Sequence, residues 1–144
     1  MILANILKQK SGPIVTVAPT DTITTVVEQL SARRIGAVLV LDSGGQLLGI
    51  VSERDVVRSL ARAGAATLSM TAAQLMTREL RVAAPSATVC DAMALMTEGR
   101  FRHLPVVEDG QLMGIVSIGD VVKERVSEQD HEVDSLRAYV AGAA

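Results

Sequence analysis

Short aliphatic runs, separated by Gly, Pro and Asp turns, alternate along this chain with amphipathic stretches, and the same order of elements occurs twice. Ile14-Val15-Thr16-Val17 is β-branched and bounded by Gly12-Pro13 and Pro19, which predicts a strand. Ile23, Val26, Val27 and Leu30 follow the spacing i, i+3, i+4, i+7, so a helix is expected with Thr22 as its N-cap and Gly36 closing the region. Ala37-Val38-Leu39-Val40-Leu41 is a continuous apolar run, short enough for a buried strand. Asp42-Ser43-Gly44-Gly45 is turn chemistry, and Leu47-Leu48-Gly49-Ile50-Val51 is the returning strand of a hairpin. Val56, Val57, Leu60 and Ala61 give a second helical stripe, closed by Gly64.

The second half retraces this order. Leu80-Arg81-Val82 reads as the strand, and Thr88 with Asp91 as a capping box for a helix whose apolar face is Val89, Ala92, Met93 and Met96. His103-Leu104-Pro105-Val106-Val107, the turn Glu108-Asp109-Gly110, and Leu112-Met113-Gly114-Ile115-Val116 form the next hairpin. The last helix starts near Ile118 and extends toward Tyr139, with a strongly charged distal part. Pro19 and Pro85, Thr22 and Thr88, Leu30 and Met96, and Arg34 and Arg100 are all 66 residues apart (85 − 19). The extra glycine of Gly44-Gly45 lowers the later offset to 65 (114 − 49). Each unit reads β-α-β-β-α, an α+β fold. A unit this small closes its own core poorly, so two are expected to pack through their sheets with pseudo-two-fold symmetry. The expected limits are a first repeat with its N-terminal segment at 1–64, a linker at 65–74, a second repeat at 75–126 and a helical extension at 127–144.

Phe101 and Tyr139 are the only aromatic residues, so the core must be built from aliphatic side chains. The net charge of −2 comes without a basic block, which argues against nucleic acid or an anionic membrane as the main partner. No apolar run reaches the roughly 18 residues of a membrane span, and the first residues lack the pattern of a secretory signal. Cys90 is the only cysteine; it rules out an intrachain disulfide and reads as a buried small apolar residue. A reducing cytoplasm is the expected setting. His103, His131 and Cys90 form no nucleophile or metal spacing, so no catalysis, catalytic cofactor or metal is expected.

The stretch that recurs most faithfully is Gly49-Ile50-Val51-Ser52-Glu53-Arg54-Asp55, answered by Gly114-Ile115-Val116-Ser117-Ile118-Gly119-Asp120. Each copy predicts a strand that turns directly into a helix, with Ser at the helix start and Asp three residues on. Two readings stand side by side. Ser-x-x-Asp is close to a capping box, which stabilises a helix start with no ligand. Two copies at the same junction, with the whole repeat intact around them, also suit a pair of binding sites.

These motifs, with Arg102-His103-Leu104-Pro105-Val106-Val107, resemble a tandem pair of CBS domains, also called a Bateman module, over residues 1 to about 126. The resemblance implies a stand-alone regulatory protein that binds adenine nucleotides (AMP, ADP or ATP) in the cleft between repeats. Some similar proteins bind NAD(H) or S-adenosylmethionine. It assigns Asp55 and Asp120 to a ribose, whose vicinal hydroxyls need an ionised acceptor. Ser52 and Ser117 fall to the phosphate side, at helix starts that favour anions. Arg102 and His103 would face the phosphates; the first repeat has Gly36 and Ala37 there, with Arg54 or Arg58 as substitutes or as a solvated face. The adenine slot would bring Ser11 and Val15 to Ser117/Asp120, and Thr77 and Arg81 to Ser52/Asp55. The resemblance also implies a homodimer formed through helices, an unknown regulated protein partner, and, as the alternative, a structural dimerisation module with vestigial sites.

Overall fold

The computed structural model describes residues 1–10 and 12–143. In chain order the elements are α1 (Leu3–Gln9), β1 (Thr16–Val17), α2 (Ile23–Arg33), β2 (Ala37–Leu41), β3 (Leu47–Ser52), α3 (Glu53–Ala63), a 3-10 segment (Gly64–Ser69) and α4 (Ala72–Leu75). They continue with α5 (Val89–Gly99), β4 (His103–Glu108), β5 (Gln111–Ser117) and α6 (Ile118–Ala143). They gather into two compact units: Pro13–Leu80, and Met1–Gly12 with Arg81–Ala144. Among the described residues, no helix is long and apolar enough to cross a membrane.

In the 13–80 unit, β1 pairs parallel with β2 and β2 antiparallel with β3. Val38, Val40 and Val51 bury their side chains against Ile23 and Val26 of α2 and Val56 of α3, an all-aliphatic core. The second unit repeats the hairpin as β4 and β5, over Val89, Ala92 and Met96 of α5 and Val121 of α6. The correspondence reaches fine detail. Both hairpins shift register at the same place, Val40/Leu41 and Val106/Val107. Arg34 and Arg100 end α2 and α5 in the same left-handed conformation, φ 53° and 54°.

One expected strand is missing, and the reason is a single atom. Leu80-Arg81-Val82 does not pair; only Ala83 bridges to Val106, with Ala83 N–H donating to Pro105 O at 3.0 Å and Val107 N–H to Ala83 O at 2.9 Å. In the first unit the Leu39 amide donates to Val15 O. Its counterpart, 66 residues on, is Pro105, which has no N–H to donate. The first strand is itself shorter than expected, Thr16–Val17 only. Two further expectations fail. Cys90 is exposed, because Val89 takes the inward position at the start of α5. On α3, Val57 and Leu60 are exposed, and the inward place goes to Ser59, whose hydroxyl is 2.8 Å from the buried Thr67 hydroxyl.

The larger surprise concerns the segments expected as a linker and as part of the first repeat. Residues 70–77 fold onto the 13–80 unit, and residues 1–7 fold onto the other one. Their backbone bonds correspond. Ala72 N–H donates to Asp21 O and Leu3 N–H to Ala87 O; Ala73 N–H donates to Pro19 O and Ala4 N–H to Pro85 O. Ile23 N–H donates to Met70 O, and Val89 N–H to Met1 O. These docking segments are therefore a third repeated piece, offset by 69 residues (72 − 3) where the rest is offset by 65 or 66.

Each docking segment crosses a motif glycine. A Cβ at Gly49 would lie 2.7 Å from both Thr77 O and Met76 Sδ, and one at Gly114 would lie 2.7 Å from Leu7 Cδ2. The first obstacle includes backbone fixed by the Ile50–Thr77 bridge; the second is the tip of a flexible side chain. Gly49→Ala is therefore expected to destabilise the protein by about 1–3 kcal/mol, the usual cost of overpacking. Gly114→Ala is expected to cost less. Urea unfolding of both variants checks the order, and equal midpoints would remove the backbone-clash argument.

Candidate functional site

Both Ser-x-x-Asp copies sit where a strand ends and a helix begins. Ser52 is the last residue of β3 and caps α3; Ser117 is the last of β5 and precedes α6. The strand fixes the backbone on one side. Ser52 pairs with Ala37, and Ser117 with His103. The first helical amide on the other side is also held. Glu53 N–H donates to Gly36 O at 2.9 Å, and Ile118 N–H to Arg102 O at 2.8 Å.

The capping box is present in both copies. Asp55 N–H donates to Ser52 Oγ at 3.2 Å, while Asp55 Oδ2 accepts from Ser52 N–H at 2.9 Å and from the Ser52 hydroxyl at 3.0 Å. Asp120 N–H donates to Ser117 Oγ at 3.1 Å, and Asp120 Oδ2 accepts from Ser117 N–H at 2.9 Å. The same device opens α4 with Thr71 and Gln74, and α5 with Thr88 and Asp91. Capping is thus this chain's general way of starting helices, and the Ser-x-x-Asp shape alone does not mark a binding site. At the two strand-to-helix junctions, however, the bonds to each carboxylate among the described residues fall on Oδ2. A carboxylate offers about four lone-pair sites, so the second oxygen has capacity for another donor while the cap stays closed.

The junctions differ in their neighbours. At the second, Lys10 reaches over from the end of the N-terminal docking segment. Its ammonium donates to Asp120 Oδ2 at 2.8 Å and to Ile115 O at 2.9 Å. Partial burial pushes the Asp120 carboxyl up, but the Lys10 ammonium and the Ser117 amide outweigh it and hold the group below the ordinary aspartate range. Sequence reasoning missed Lys10. It lies 110 residues from Asp120, and no pattern in the chain connects the two. Asp55 instead borders a cavity of about 380 Å³ whose lining includes Arg58, Arg62, Ser59 and Gln74.

The remaining candidates divide by unit. Arg102 is exposed and His103 partly buried, both beside Ser117 through the bonds described above. Thr77 is exposed and its backbone pairs with Ile50, two residues before Ser52. Val15 belongs to the 13–80 unit, where it lines a cavity of about 250 Å³ with Asp21, Thr25 and Arg33. Arg81 belongs to the other unit and is exposed. Ser11 lies outside the described residues.

The CBS domain family model matches residues 7–62 and again 72–127. The chain belongs to the CBS domain family. As a tandem CBS pair it is 39% identical, over 126 residues, to the mitochondrial CBS domain-containing protein CBSX3 of Arabidopsis thaliana. That match covers 85% of this chain and 61% of the relative, so the chain spans under two thirds of the relative's length. The crystal structure of a CBS-domain containing protein from Agrobacterium tumefaciens is 44% identical, with a TM-score of 0.83, covering 86% of this chain and 92% of that one. A CBS domain protein from Pyrobaculum aerophilum, solved as a complex with AMP, is 25% identical with a TM-score of 0.74, covering 83% of this chain and 89% of that one.

The Lys10–Asp120 pair has a testable acid signature. A carboxyl held below its unfolded value of about 3.9 contributes stability above that pH and loses it as pH falls through the folded value. Lys10→Met is expected to raise the Asp120 titration point and to flatten this acid-side loss. Both partners are partly exposed, so the change in stability should stay below about 1 kcal/mol. Carboxyl carbon NMR titration, with urea midpoints at acid and neutral pH, measures both; an unmoved Asp120 titration would exclude the coupling.

Proposed function

We propose that this CBS pair is a regulatory module that binds an adenine nucleotide (AMP, ADP or ATP) at its strand-to-helix junctions. Occupancy is read out by a partner protein or by the assembly of its own copies. The observation that carries this reading is the duplicated carboxylate. Asp55 and Asp120 each stand in the first turn of a helix that follows a strand without a loop, with one oxygen held by the cap. The AMP complex of the Pyrobaculum relative supports the choice of ligand.

The roles follow from the chemistry. The second oxygen of Asp120 accepts from the ribose hydroxyls. Arg102 and Lys10 supply positive charge, and a guanidinium suits bidentate phosphate contacts. His103 adds a group whose charge can change near neutral pH. Two of the first three helical amides are already bonded, those of Ile118 and Asp120. The phosphate grip therefore rests on side-chain cations more than on the helix start. At the first junction Asp55 has the same role, with Arg58 and Arg62 in place of the Arg102 pair. The second junction is the tighter site, because Arg102 and His103 stand beside it where the first junction has Gly36 and Ala37. No step of this reading requires bond making or breaking.

Isothermal titration of the whole chain with AMP, with ADP and with ATP tests it. Micromolar or tighter binding is expected. Losing hydrogen bonds to a charged acceptor costs about 1.5–3 kcal/mol, so Asp120→Ala should weaken the tighter site roughly ten- to hundredfold. Asp120→Asn keeps an oxygen that can accept the cap and separates helix loss from ligand loss; circular dichroism confirms that the helix remains. Unchanged affinity in both variants would remove the site. Absence of binding by any of the three nucleotides would remove the function.

A further inference from the structure

We propose that the distal half of α6 pairs with α6 of a second copy as a parallel, in-register two-stranded coiled coil. This deepens the self-assembly part of the reading above, and most of the seam lies beyond residue 127, where the family match ends.

The helix carries an apolar seam that its own unit does not use. Val121 and Glu124 face the core and are buried. Val122, Val126, Gln129, Val133, Leu136 and Val140 are all exposed, and their spacing is 4, 3, 4, 3, 4. That alternation is the a/d repeat of a coiled coil, with Val126, Val133 and Val140 at a, and Val122, Gln129 and Leu136 at d. From Gln129 to Gly142 no residue is buried. A free helix of about that length is marginal in water and gains its stability from packing an apolar face. Leu136, at 63% exposure, and Val140, at 61%, stand largely uncovered among the described residues.

The residues flanking the seam select the partner and its direction. With this assignment Arg125 and Glu132 are at g, and Asp130 and Arg137 at e. In a parallel in-register dimer each g position faces the e position five residues on in the partner helix. That sets Arg125 opposite Asp130 and Glu132 opposite Arg137, two attractive pairs counted from each strand. Arg125 already bonds Glu128 on its own helix at 3.3 Å, a contact that leaves its remaining donors for the second carboxylate. An antiparallel pairing centred on the Gln129–Val133 layer would set Asp130 against Asp130 and Glu132 against Glu132. β-Branched residues at every a position, with Leu136 at one of the three d positions, favour two strands. A second copy of this helix therefore satisfies the seam and the charges together. The seam is short, so the folded body at its N-terminal end must anchor it, and association in the micromolar range is expected.

The test uses the full chain with Cys90→Ser, so that introduced thiols are the only ones. Under mild oxidation Val133→Cys should form a disulfide-linked dimer in high yield, because equivalent a positions face each other, and Ser135→Cys on the outer face should not. Leu136→Asp should weaken self-association at least tenfold by sedimentation equilibrium, with AMP affinity per chain unchanged. Glu132→Arg should weaken it too, and adding Arg137→Glu should restore it. Cross-linking that is equal at positions 133 and 135, or self-association indifferent to Leu136→Asp, would overturn the proposal. If AMP binding fails while these results hold, the nucleotide reading alone is lost.

Discussion

Two close crossings govern this molecule. At Gly49 and again at Gly114 a segment from outside the hairpin passes close over the strand, with backbone and the Met76 side chain against the first glycine and the movable Leu7 side chain against the second. The crossing at Gly49 is tied by the Ile50–Thr77 bridge, and the one at Gly114 by Leu7. Three residues later each strand reaches its Ser and turns into a helix. The glycine, the docking segment and the capping box are therefore consecutive parts of one construction. The glycine admits the segment, the segment covers the strand, and the strand delivers Ser and Asp to the helix start in a fixed pose. In the second unit the covering segment also delivers Lys10 to Asp120.

A cap and a ligand acceptor are usually opposed readings of Ser-x-x-Asp. In the proposed function they divide between the two oxygens of one carboxylate. The cap uses Oδ2 at both junctions, and its rigidity holds the other oxygen in place for a donor from outside. The charge settings then make the junctions unequal. Asp120 is already neutralised by an ammonium from its own chain, whereas Asp55 looks into a cavity bordered by two guanidinium groups. Any anionic ligand meets a prepaired carboxylate at one junction and an unpaired one at the other.

Most of the core was legible because it obeys short periods. Both hairpins, α2, α5 and the starts of α3 and α6 fall where the spacing of Val, Ile and Leu and the capping residues put them. The failures have local causes. Pro105 lacks the donor that would extend a third strand, although Val106 and Val107 after it are β-branched. Ser59 displaces Leu60 from the interior because its hydroxyl has Thr67 to bond. The docking segments were illegible for a different reason. Ile2-Leu3-Ala4 and Thr71-Ala72-Ala73 share only the last residue, and their equivalence lies in backbone bonds at an offset of 69, which side-chain patterns do not record. Lys10 belongs to the same blind spot.

The placement of the two docking segments also sets an order of events during synthesis. The 13–80 unit receives its covering segment from residues that leave the ribosome directly after its core, so it can close while the rest of the chain is still being made. The other unit depends on residues that precede the 13–80 unit in the chain. Leu3 and Ile6 are buried in one cluster with residues of α5, the second hairpin and α6, all of which are synthesised after the 13–80 unit. The Leu3–Gln9 helix thus waits, apolar face uncovered, until α5, the second hairpin and α6 have been made, and that interval leaves the chain open to capture by chaperones or by a neighbouring copy.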